Sequence, residues 1–439
     1  MRRMLPISAA PWTAAMFVLC TCFVPAQAQK GDAARGEVVK IGQVTGDDAF
    51  DAQVKVLLKD PKHAKVLVAA GVKMAEAKDS QLTFYGAMTL GQIAADLKDY
   101  KSCETLYRVA MTQAVKLTSP KKVLQSYGNL IDILYDGKKY ADSVRICREL
   151  LEIKTGDGKP RAYMFIVEDR FGDFGFEPDF DFDLAKPLKP AIHQLMIQGL
   201  AKDGKHEQAL KLVDNLIQAR DHWQQRQLRG WVLREMGNLP EAVKVYVDVL
   251  DRIAHDEDLT DKGKEVYGER YKHILSNVYI ESKQIDKAVE ILRELLKNHP
   301  NEPGFYNDLG YVMADNDMNL KESEELIRKA LELDREARKK KPGYNAAQDK
   351  DRGAYLDSLG WVLYKLKRYD EAKKYLTEAL QDKDSQHLEI FDHLGDTCLA
   401  LGQKQAAVDA WRKGLEVAGD DRTEKERKAE VEKKIEKHK

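Results

Sequence analysis

A two-helix motif recurs along this chain at a spacing of about 34 residues. In its clearest copy, the first helix contains Leu359-Gly360-Trp361, a polar turn follows, and the second helix carries Ala372 and Ala379. A single hairpin of this kind cannot bury its apolar face, so successive copies must stack on one another. The recurrence therefore predicts an all-α solenoid.

Eight approximate copies repeat the same order of residue types. A typical copy has a small residue in the first helix, Gly or Lys in the turn, and Ala in the second helix. Small residues let two helices approach closely, and an acidic residue at the start of the second helix suits its positive end. The copies lie at 84–117, 124–157, 190–222, 223–256, 269–302, 303–337, 353–386 and 388–421.

These units resemble tetratricopeptide repeats. The resemblance rests on Gly360 with Ala372, on Gly310 with Ala330, and on Pro300, which closes one copy. It implies an all-α, right-handed superhelical solenoid of helix-turn-helix repeats whose concave groove binds a protein or peptide. With the N-terminal segment described next, the chain is similar to an exported bacterial member of the family.

The N-terminal residues 1–28 are typical of a signal peptide. Arg2 and Arg3 precede an apolar stretch over 9–24, and Pro25-Ala-Gln-Ala28 offers small residues for cleavage. The apolar stretch is short for a membrane-spanning helix of about 20 residues. We expect an exported protein, periplasmic or secreted, with no integral span after cleavage. A lipoprotein modified at Cys22 and an uncleaved anchor remain alternatives.

Several segments lie outside the repeats. The largest, 158–189, places six phenylalanines among acids, glycines and prolines, which is incompatible with a regular helix. It is either a loop that recruits a partner or a loop whose rings pack between neighbouring repeats. The other predicted segments are a flexible N-terminal stretch at 29–47, a helical cap at 48–83, an insertion at 257–268, a basic linker at 338–352 and a charged C-terminal helix at 422–439.

Composition and motifs argue against several functions. A net charge of −1 provides no basic excess, so no nucleic-acid partner is expected. Cys103, Cys147 and Cys398 fall at core positions of the repeats and do not form a disulfide framework. The sequence contains no phosphate-binding loop, zinc-binding His pair or nucleophile elbow, so we expect no catalytic residue, cofactor or metal.

The family resemblance also implies where a partner binds. The residue after the small position of each first helix points into the groove, and aromatic anchors dominate interface energetics. In the alternative interpretation, Trp231 and Trp361 pack between repeats. The lysine–asparagine clamp of some relatives is not supported, because His273 and Asp308 replace two of its residues. The predicted groove residues are Trp231, Asn277, Tyr311, Trp361 and Asp396, with Tyr364 one turn away. The same position in the other copies is Gln92, Asp132 and Gln198, and Tyr135 and Arg234 also lie one turn away.

The sequence thus favours a non-enzymatic scaffold or adaptor of the cell envelope that binds a peptide or protein segment. Two alternatives remain. One is a periplasmic solenoid that binds a glycan or another polymer by aromatic stacking. The other is an enzyme whose acid and base are carboxylates of the 158–189 insertion.

Overall fold

The computed structural model describes residues 26–43, 47–77, 82–117, 119–152, 189–346, 349–382, 385–419 and 421–438. These residues form twenty α-helices and no strand, which confirms the predicted all-α fold. The chain divides into two compact units, 1–137 and 138–439. Most of the predicted signal peptide and all of 158–188 lie outside the described residues. None of the helices in the described ranges combines the length and the apolarity needed to cross a membrane.

The first unit contains six helices. The hairpin predicted at 84–117 is formed by the fourth and fifth of them. Pro61 starts the third helix, where Asp60 caps it by accepting a hydrogen bond of 3.1 Å from the backbone N–H of His63. The helices are α1 (Ala26–Ile41), α2 (Asp47–Leu57), α3 (Pro61–Glu76), α4 (Phe84–Asp96), α5 (Tyr100–Lys116) and α6 (Pro120–Asp136).

The structure corrects one expectation in this unit. Residues 29–41, predicted to be part of a flexible segment, belong to helix α1. Ala34, Val38 and Ile41 recur at helical spacing and are buried, and α1 packs against α3 and α4. Tertiary burial of this stripe outweighs the low helix propensity of Gly31 and the polar residues around it.

The second unit is an all-α repeat solenoid. From α8 onward, helices alternate as the first and second helix of six hairpins, and each second helix packs against the next first helix. The first helices are α8 (Lys189–Lys202), α10 (Trp223–Glu235), α12 (Asp261–Glu281), α14 (Pro303–Asp315), α16 (Gly353–Lys365) and α18 (Leu388–Ala400). The second helices are α9 (His206–Ala219), α11 (Leu239–Ala254), α13 (Ile285–Asn298), α15 (Leu320–Lys339), α17 (Tyr369–Ala379) and α19 (Lys404–Val417). Helix α7 (Tyr140–Glu152) precedes them and α20 (Arg422–His438) follows them.

Small residues hold the two helices of a hairpin together at short range. A Cβ atom placed on Gly360 would lie 2.5 Å from Cγ of Leu376, a separation that real side chains do not tolerate. Gly395 meets the ring of Trp411 in the same way. The predicted reason for a small residue in the first helix is therefore confirmed.

The turns also follow the predicted residue types. Lys367 and Gly402 adopt left-handed backbone conformations, with φ of 62° and 74°, and each separates a first helix from its second helix. Gly adopts this conformation without steric cost, whereas Lys does so less readily. The insertion predicted at 257–268 is helical from Asp261 onward, because α12 begins there.

The three cysteines of the described residues are buried, as their repeat positions predict. Burial raises the pKa of the Cys103 thiol to about 12. A thiol of this kind stays protonated and packs as a small apolar side chain.

Candidate functional site

Gln92 on α4 and Asp132 and Tyr135 on α6 lie in the first unit, and the other predicted groove residues lie on first helices of the second unit. The structure brings four of them together around the buried ring of His393, and these four come from three successive first helices. Trp231 and Asn277 do not belong to this group. The four are Tyr311 on α14, Trp361 and Tyr364 on α16, and Asp396 on α18.

Trp361 is the centre of an aromatic stack. Its ring lies 4.1 Å from that of His393 and 4.9 Å from that of Tyr364, with nearly parallel planes in both pairs. Its Nε1 donates a hydrogen bond of 3.1 Å to Asp315 Oδ1. With 9% of its surface exposed, Trp361 joins α14, α16 and α18 mainly by packing.

His393 forms a buried ion pair behind this stack. Its Nδ1 lies 2.9 Å from Oδ1 of Asp357, and both side chains are almost fully buried. Burial alone would lower the pKa of His393, but the charge and hydrogen bond of Asp357 outweigh burial and raise it. The imidazole therefore retains its proton to a higher pH than an exposed histidine.

Glu389 connects the cluster to the C-terminal helix. Tyr311 donates a hydrogen bond of 2.6 Å to Glu389 Oε1, which also receives Arg427 Nη2 of α20 at 2.6 Å. Burial opposes ionisation of Glu389, yet the charges of His393 and Arg427 lower its pKa. An ionised carboxylate thus lies between a first-helix tyrosine and a basic residue of α20.

Two further carboxylates bind a second basic residue of α20. Lys434 Nζ lies 2.6 Å from Asp392 and 2.8 Å from Asp396. Burial and the charge of Asp392 raise the pKa of Asp396. Burial alone would lower the pKa of Lys434, but the charges and hydrogen bonds of both carboxylates outweigh burial and raise it. A cation at this position neutralises two acids that would otherwise repel each other.

The N-terminal end of α20 reaches α12. Arg422 forms an ion pair with Glu281 at the last residue of α12, and Glu281 Oε1 also accepts a hydrogen bond of 2.7 Å from Arg234 on α10. We call the four carboxylates that α20 contacts the acidic track. They are Glu281, Glu389, Asp392 and Asp396.

Sequence reasoning identified Asp396 and missed the rest of the acidic track. The missed signal lies in α20, where Arg427, Val431, Lys434 and Ile435 recur at helical spacing. This stripe predicts one inward face that is part basic and part apolar. Because residues 422–439 are mostly charged, sequence reasoning did not recognise this stripe.

The remaining predicted residues have other surroundings. Trp231 is half-buried on α10, and Lys202 Nζ lies 5.9 Å from its ring centre. Asn277 is half-buried on α12. His273 and Asp308, which depart from the lysine–asparagine clamp, pair with each other at 2.9 Å. No group of three or more metal-ligating side chains occurs in the part of the chain that the structure describes.

Family models match three of the predicted repeats. Residues 353–383 and 274–302 match tetratricopeptide-repeat models, and residues 193–220 match a PPR-repeat model. Each match falls within a hairpin of the second unit and agrees with the predicted copy at that position.

Two curated relatives come from Pseudomonas aeruginosa. A TPR repeat-containing protein is 28% identical over 164 residues, which cover 35% of this chain and 25% of the relative. The type IV pilus assembly protein PilF is 28% identical over 157 residues, which cover 36% of this chain and 56% of PilF. The matches thus span about a quarter of the first relative's length and about half of the second's.

Solved structures with similar helical repeats include two bacterial proteins. A tetratricopeptide repeat protein from Parabacteroides merdae is 12% identical, covers 80% of this chain and 98% of that chain, and has a TM-score of 0.41. A TPR protein from Thermus thermophilus is 20% identical, covers 48% of this chain and 98% of that chain, and has a TM-score of 0.34.

Proposed function

Because the chain belongs to the tetratricopeptide-repeat family, we propose that it is a non-enzymatic scaffold or adaptor of the cell envelope that binds a protein or peptide segment along its first helices. Stacked helical hairpins create extended surfaces that suit protein–protein interaction. The proposal assigns the binding surface to the first helices of the second unit.

The observation that carries this proposal is a shared register. Trp231, Asn277, Tyr311 and Trp361 occupy corresponding positions on four successive first helices. Large aromatic side chains interleaved with hydrogen-bonding groups are the composition of interface hot spots. A chain segment laid across the first helices would meet the partly exposed Trp231, Asn277 and Tyr311, whereas Trp361 is buried behind this surface.

The envelope assignment has two supports. One is the signal-peptide pattern of residues 1–28. The other is the similarity to PilF, a type IV pilus assembly protein. We propose a protein or peptide partner exported to the same compartment, and no nucleic acid, because the chain has no basic excess.

Position-specific photo-crosslinking tests this function in cells. A photoreactive phenylalanine analogue replaces Trp231 or Asn277 on first helices. In matched controls it replaces the exposed residues Lys244 and Glu290 on the second helices α11 and α13. We expect one protein of the envelope fraction to be captured from both first-helix positions and from neither control. Equal capture from all four positions, or no capture from the first helices, would overturn the proposal.

A further inference from the structure

Helix α20 lies on the surface that the proposed function assigns to a partner. It packs against the first helix α18 and the second helix α19, and Arg422 reaches α12. Its inward stripe contains Arg427, Val431, Lys434 and Ile435, whereas Lys428 and Lys433 on other faces are exposed. The chain therefore places a helix of its own where the first helices would otherwise be accessible.

The C-terminal half of α20 is held by apolar packing. Val431 and Ile435 are buried in a cluster with Leu388, Val408 and Trp411 of the last hairpin. Burial of both side chains covers the end of the solenoid.

The N-terminal half, 422–427, is held by ion pairs and contains no buried apolar residue. Arg422 pairs with Glu281, and Arg427 pairs with Glu389. About a quarter to a third of each arginine side chain is exposed, with fractions of 24% and 31%. Ion pairs that water reaches contribute little and weaken with salt. This half can therefore be displaced at low free-energy cost when other cations take the place of its arginines.

The acidic track requires cations. Asp392 is 5% exposed and Glu281 is 15% exposed, so neither carboxylate is well solvated. Loss of α20 would leave these acids without their α20 partners in a poorly hydrated surface, which is unfavourable. A replacement for α20 must supply basic side chains at the same places.

We propose that the surface seating α20 binds a basic amphipathic helix of a partner protein, and that α20 is a built-in competitor for it. The partner helix carries two Lys or Arg residues seven positions apart, like Arg427 and Lys434, with an apolar residue between them, like Val431. Replacement of α20 by the partner helix starts at the ion-paired N-terminal half of α20. This inference rests on the proposed function, because it names the chemistry of the partner at that surface.

A labelled peptide with the sequence of residues 418–439 is the probe. It is titrated against three full-length proteins: the native chain, the double variant Arg427→Glu/Lys434→Glu, and the matched control Lys428→Glu/Lys433→Glu, which makes the same charge change on exposed positions. The inward variant should bind the peptide about tenfold or more tightly than the other two, because α20 no longer competes. Adding Glu389→Gln/Asp392→Asn to the inward variant should remove that binding.

Hydrogen exchange of α20 in the same proteins shows whether the helix is released. Fast exchange in the inward variant without peptide binding would overturn the inference. So would unchanged exchange in that variant, because ion pairs would then not hold the helix. Equal peptide affinity for all three proteins would also contradict it.

The two proposals can fail separately. If first-helix crosslinks to a partner persist and are equally strong in the native chain and the inward variant, the proposed function stands and competition by α20 is wrong. If peptide binding follows the predicted order but no first-helix crosslink forms in cells, the proposed function is wrong.

Discussion

The two halves of α20 lie on the same unit, and both form ion pairs, but only the C-terminal half adds buried apolar side chains to them. The C-terminal half buries Val431 and Ile435 among side chains of the last hairpin. The N-terminal half contributes Arg422 and Arg427 to ion pairs with first helices. Salt does not screen apolar burial, whereas it screens ion pairs that water reaches. One helix can therefore cap the solenoid at one end and open at the other.

The largest expected effect is the loss of the apolar attachment. Ile435→Ala removes a buried branched side chain, and we expect the free energy of unfolding of the last hairpin to fall by about 2 kcal/mol or more. Hydrogen exchange of α18 to α20 as a function of denaturant measures this loss locally. Lys433→Ala is the matched control on an exposed position of the same helix and should change little. If both variants exchange alike, apolar packing does not hold this half.

A smaller effect is expected at the ion-paired end. Arg422→Ala leaves Glu281 with Arg234 as its cation, so the cost should be about 1 kcal/mol or less. Raising the salt concentration from about 0.1 M to 1 M shortens the Debye length from about 10 Å to about 3 Å. In the native chain, high salt should accelerate amide exchange over 422–427 more than over 431–435, because Val431 and Ile435 stay buried when the Lys434 ion pairs are screened.

The control for this experiment is the Arg422→Ala variant itself. Salt should change its exchange over 422–427 less than that of the native chain, because one screened pair is already absent. Parallel acceleration of both halves by salt would show that the helix opens as one piece and would remove the distinction between its ends.

The hairpins could be predicted from the sequence because their determinants are local. Gly360 and Leu376 are 16 positions apart in a motif that recurs, so the pattern itself reports their contact. The same holds for the turn residues Lys367 and Gly402, whose left-handed conformation follows from their place between two helices. Repetition turns tertiary contacts into a feature that can be read along the chain.

The surface on which α20 packs could not be predicted in this way. Arg422 and Glu281 are 141 positions apart, and only the stacking of several hairpins brings them together. Placement of Trp361 against His393 likewise depends on how two repeats meet, which a family register does not specify. The register places the predicted residues on first helices, while the partners of each side chain depend on contacts between repeats.

The smallest expected effect comes from pH and concerns the charge behind the ion-paired surface. His393 faces Asp357, Glu389 and Arg427 and stacks on Trp361. Although burial opposes its charge, Asp357 raises the pKa of His393 above 6.5. Its contribution to stability is therefore fully present below pH 6.5 and is lost as the pH rises through the raised pKa.

The variant His393→Gln isolates this contribution. The difference in unfolding free energy between the native chain and the variant should shrink as the pH rises from about 5.5 to 8.5, because only the native chain loses a bound proton. Hydrogen exchange of the α18 backbone amides measures this difference in unfolding free energy close to the His393–Asp357 ion pair. A difference that grows with pH would mean that the folded protein binds this proton less tightly than the unfolded chain does. The charge that faces Glu389 and Arg427 would then be absent at neutral pH, and the ion-paired end of α20 would depend on the carboxylates of the acidic track alone.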